Sequence, residues 1–160
     1  MIQPDWILRE RSGHWAAALR LTLLRTEAAD PMPRIFEARN LRDLVARLEA
    51  RPASLVLIEV VRTNLSGMLN WLMNAAPQFP AAHFAALLDG ELAESLVLRQ
   101  IATEALLEAG VSDFAFSPRH LHDVLALGRR HAEVAAMRAP QPASKSIEAW
   151  AWASLPWQDE

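Results

Sequence analysis

Short apolar runs alternate along this chain with longer stretches in which apolar positions recur every three to four residues, the pattern of strands and helices taken in turn. Residues 6–11, "WILRER", form the first run. Ser12 then stands as an N-cap for a helix with Trp15, Leu19 and Leu23 on one stripe. After the breaker "DPMP", residues 34–38 supply a second strand, and Asn40 caps a helix carrying Leu41, Leu44, Val45 and Leu48. The run "SLVLIEV" at 54–60 is the most continuous, which places it centrally in a sheet, with its one charge, Glu59, near the carboxyl end. Asn64 or Ser66 opens a third helix, stopped by "PQFP" at 77–80. Residues 83–88 read as strand four, residues 91–109 as one long helix stopped at Gly110, and 113–116 as strand five. A last helix runs from about Pro118 to Ala135, with proline in its first turn. Five such βα units predict an α/β fold, a doubly wound five-stranded parallel sheet with its functional groups at the carboxyl ends of the strands.

Composition narrows the function. The chain has 160 residues, 52% hydrophobic and 22% charged, which suits one globular domain with a core. The formal net charge of -3 and the scatter of basic residues argue against nucleic acid as a partner. Cysteine is absent, which excludes disulfides and thiolate chemistry. No apolar run is long enough to span a membrane and no signal-like start is present, so a cytoplasmic location is the expectation. Fifteen of the sixteen basic residues are arginine; Lys145 is the single lysine, so no mechanism can use a lysine within the first 140 residues.

Composition also sets the domain bounds: a domain over 1–135, an Ala/Pro/Ser-rich linker over 136–146 and a tryptophan-rich tail over 147–160. Trp150, Trp152 and Trp157, with Leu155, give the tail a large apolar surface that should not stay bare in water. The tail is either a peptide that docks on another protein or a strap folded back on its own domain.

The order of these pieces resembles the receiver domain of bacterial response regulators over residues 5–135. The resemblance rests on "FEARNLRDLVARLEARPASLVLIEV", on Gly67 eight positions after Glu59, and on "EAGVSDFAFSP" at 108–118. It implies a flavodoxin-like (receiver) topology, with the region around the fourth helix extended by about two turns. A working receiver accepts a phosphoryl group on an aspartate after strand three, holds Mg²⁺ with that residue and an acidic pair after strand one, and neutralises the phosphate with a lysine after strand five. Here the resemblance puts Glu59 at the phosphoacceptor position. The acidic pair becomes Arg9 and Glu10, or Glu10 and Arg11. The small hydroxyl position falls on Leu88 or Asp89, the lysine position on Ser117 and the switch aromatic on Phe114. The longer Glu59 side chain shifts the in-line geometry, and a guanidinium in the acidic pair repels Mg²⁺.

The expectation is therefore a non-enzymatic pseudo-receiver with no catalytic residue, cofactor or metal, binding proteins through the fourth helix, fifth strand, last helix and tail, with a homodimer as the oligomeric expectation. An arginine either pairs with Glu59 or points to solvent. His120 and His122 diverge on a helix, and His14, His83 and His131 stand alone in sequence, so local spacing gives no metal site. No P-loop, dinucleotide fingerprint or nucleophile elbow occurs. The alternatives are an atypical response regulator switched by a ligand or by its own tail, and a flavodoxin-like small-molecule binder.

Overall fold

A computed structural model describes residues 5–11, 13–25, 34–116 and 130. Within them the elements follow the order β1 (Trp6–Arg9), α1 (His14–Arg25), β2 (Ile35–Glu37), α2 (Leu41–Ala50), β3 (Leu55–Val60), α3 (Leu65–Gln78), β4 (His83–Leu88), α4 (Glu91–Glu94), α5 (Leu96–Ala109) and β5 (Asp113–Ala115). The expected last helix, the linker, the tail and Ser117 lie outside the described residues.

The five strands form one sheet in the order β2-β1-β3-β4-β5, every pairing parallel. All six residues of β3 are buried, because helices cover both faces of a parallel sheet. Alternate strand residues feed two cores. Val56, Ile58, Val60, Ile7 and Phe84 pack with Leu44 and Leu48 of α2, Met68 and Leu72 of α3, and Ala102 and Leu106 of α5. Leu55, Leu57, Trp6, Leu8 and Leu87 pack with Trp15, Leu19 and Leu23 of α1 on the opposite face.

The helix signals act locally. The Asn40 side chain accepts from the Asp43 N–H at 2.8 Å, one of the backbone donors that a helix start leaves unpaired. Gly110 ends α5 in the left-handed region, with φ 112. The α3 helix runs through Pro77 and stops one residue later at Gln78.

The stretch 91–109 departs from the single helix its periodicity suggests. Ser95 adopts an extended conformation, φ -84 and ψ 119, so α4 ends there after one turn and α5 starts afresh. Its hydroxyl accepts from the Leu98 N–H, the local competition with helical hydrogen bonding that serine offers.

Two glycines should respond oppositely to alanine. At Gly110 the backbone is left-handed and an added Cβ would meet Ala76 Cβ at 2.7 Å, pushing α5 away from α3. Gly67 lies within α3 with open space around it. Gly110→Ala should cost about 1–3 kcal/mol and Gly67→Ala should gain about 0.5–1 kcal/mol, both read by urea denaturation.

Candidate functional site

Parallel pairing brings the carboxyl ends of β1, β3 and β4 together, and the polar residues gather there. Glu10, just after β1, faces the start of α1: its two carboxylate oxygens accept the Trp15 and Ala16 N–H groups, each at 3.0 Å. A negative charge on unpaired donors at a helix N-terminus is doubly favourable, through the hydrogen bonds and the helix dipole. Gly13, at φ 81, lets the chain turn between the two.

Glu59 is the penultimate residue of β3 and is only 5% exposed. Its Oε1 accepts the backbone N–H of Arg11 at 3.2 Å. The contact expected of an arginine thus comes, for Arg11, through its main chain, while the Arg9 guanidinium donates to the Glu10 carbonyl at 2.8 Å. Beyond β3, Asn64 closes a turn by accepting from the Val61 N–H and donating to the Glu59 carbonyl.

Leu88 ends β4 fully buried in the core, so at this end of β4 the polar position is the half-buried Asp89. Asp89 Oδ1 accepts from the Gly90 N–H, and Oδ2 stands 3.0 Å from His14 Nε2. The structure therefore brings together Glu10, Arg11, Glu59 and Asp89 of the expected residues and adds His14. His14 stands 75 positions from Asp89, so no local spacing links them; only the sheet order joins them. Phe114 is partly buried against the core and stacks with Phe116, ring centroids 6.3 Å apart, and the Arg99 guanidinium covers the Phe116 ring at 4.6 Å.

No family model and no curated protein matches the chain. Solved structures do. A CheY-like protein (tadZ) from Pseudomonas aeruginosa PAO1 is 18% identical, with a TM-score of 0.59 over 82% of this chain and 94% of that one. A putative pilus assembly-related protein from Burkholderia pseudomallei K96243 is 15% identical, with a TM-score of 0.57 over 81% and 92%. A response regulator from Thermotoga maritima is 17% identical, with a TM-score of 0.54 over 79% and 98%. The chain has the fold of response-regulator receiver domains.

That fold implies Mg²⁺, which takes oxygen ligands in near-octahedral geometry. Among the described residues the receiver's oxygen set is not assembled: both Glu10 oxygens are engaged by α1, and Arg9 and Arg11 flank that carboxylate in sequence. What remains at the strand ends is a mixed set of two carboxylates and an imidazole.

The capping role of Glu10 predicts a loss of stability on Glu10→Ala of about 1–2 kcal/mol, since two helix donors lose their partner. Glu10→Gln should recover part of it. Thermal denaturation of both variants reads the difference.

Proposed function

We propose that this chain is a non-catalytic pseudo-receiver, a phosphorylation-independent protein-interaction module in signalling or regulation. The observation that carries the reading is the outward face of α5, where Leu96, Val97 and Ile101 are 76%, 69% and 56% exposed. Adjacent exposed aliphatic residues of this size on one helix are a feature of surfaces that meet another protein. The altered phosphoacceptor end supports the same reading: Glu59 replaces the aspartate, a guanidinium enters the acidic pair, and Ser117 takes the lysine position. Phosphoryl transfer depends on positioning and charge compensation, and each of these replacements removes part of it.

The partner surface proposed is α5 with β5, joined by the last helix and the tail residues Trp150, Trp152, Leu155 and Trp157, with a second copy of the chain among its partners. Similarity to a protein described as pilus assembly-related makes a multiprotein assembly a fitting setting. Among the described residues no helix is long and apolar enough to cross a membrane.

Val97→Gln with Ile101→Gln tests the surface without touching the core. The double variant should keep its stability within about 0.5 kcal/mol while losing at least tenfold in partner capture, by pull-down and mass spectrometry, or in self-association, by sedimentation. Unchanged capture and association would remove the surface from consideration. In parallel, acetyl phosphate with Mg²⁺ should leave the chain unmodified; a stoichiometric covalent phosphate on Glu59 would overturn the pseudo-receiver reading.

A further inference from the structure

We propose that His14, Glu59 and Asp89 form a binding site for one divalent transition-metal ion, with Zn²⁺ the best fit. His14 is the first residue of α1, Glu59 the penultimate residue of β3 and Asp89 the first residue after β4, so three separate segments converge. One donor atom from each lies within 4.8 Å of the others. His14 Nε2 and Asp89 Oδ2 are already 3.0 Å apart. Two donors held about 2.1 Å from one ion stand about 3–3.5 Å from each other, so this pair has the spacing of two ligands on a common centre. Glu59 completes the set from the buried side while its Oε1 accepts the Arg11 N–H, and an ion at the centre would draw the three donors from within 4.8 Å to about 3–3.5 Å of one another.

Burial and charge fit an ion. Glu59, 5% exposed, forms the floor of the site, while the His14 and Asp89 side chains, 45% and 36% exposed, form a rim open to solvent. An ion can enter from that side and keep water in its remaining position. Two carboxylates and a neutral imidazole carry a charge of about -2; Glu10 beside them offsets one of the two flanking arginines, Arg9 and Arg11, so the set stays net negative toward a divalent cation. The imidazole decides the class of metal: nitrogen with carboxylate oxygen suits Zn²⁺ and its first-row neighbours, whereas Mg²⁺ and Ca²⁺ favour oxygen alone. Glu10 is not needed, and its hold on α1 fixes the helix turn that carries His14. The site shares no residue with the α5 face, so each proposal can fail without the other.

The test is calorimetric titration of Zn²⁺ into the full chain, stripped with EDTA and free of any affinity tag, with Mg²⁺ titrated in parallel. One Zn²⁺ should bind per chain and raise the melting temperature by about 5 °C near saturation, with Mg²⁺ at least tenfold weaker. His14→Ala and Asp89→Asn, both at the exposed rim, should each weaken Zn²⁺ binding at least tenfold. Co²⁺ bound to the unaltered chain should give visible absorption bands of a nitrogen–oxygen site, a readout that needs no variant. The proposal is overturned by an absence of stoichiometric Zn²⁺ binding, by either variant binding Zn²⁺ as tightly as the unaltered chain, by Mg²⁺ binding as tightly as Zn²⁺, or by a Co²⁺ spectrum identical to that of the free ion.

Discussion

A strand buried along its whole length has nowhere to place a charge except where it leaves the sheet. In Leu55–Val60 every position is buried, and the one ionisable residue stands one step from the carboxyl end. Further back, Glu59 would sit between two apolar cores with no donor in reach, at a cost of several kcal/mol. At the strand end it meets the Arg11 main chain and the Asn64 turn, because the crossovers on both sides begin there. The polar end of the molecule is thus a consequence of the double-sided core.

The same constraint governs Glu10. A carboxylate after β1 can face the centre of the site or the helix that follows, and here both of its oxygens go to α1. Holding the helix start fixes His14 over the Asp89 loop. Local helix chemistry thereby decides which side chains share the pocket.

Much of the fold could be read in order from the sequence, because its signals are local. The apolar run at 54–60, the cap at Asn40 and the stop at Gly110 each act over a few residues, and each stands where the periodicity puts it. The break at Ser95 escaped because the apolar period of 91–109 continues across it; one hydroxyl outweighed the pattern. The site was legible only in part. Glu59 and Asp89 are marked by strand ends, but the approach of His14 to Asp89 requires β1, β3 and β4 to lie side by side, which no local spacing encodes. Likewise the partner of a carboxylate can be a neighbour's main chain, as with Arg11, and residue type says nothing about that.

Because α5 carries its own start signal at Ser95, the helix does not inherit its direction from the turn before it. The turn of α4 is nonetheless fixed by packing, with Leu92 and Ala93 buried and the Arg99 side chain donating back to the Ala93 carbonyl, so the serine sets where the helix begins and the core sets how far it stands from Asp89. The pocket side of that junction and the aliphatic side of α5 share no residue, so a substitution on one leaves the side chains of the other in place.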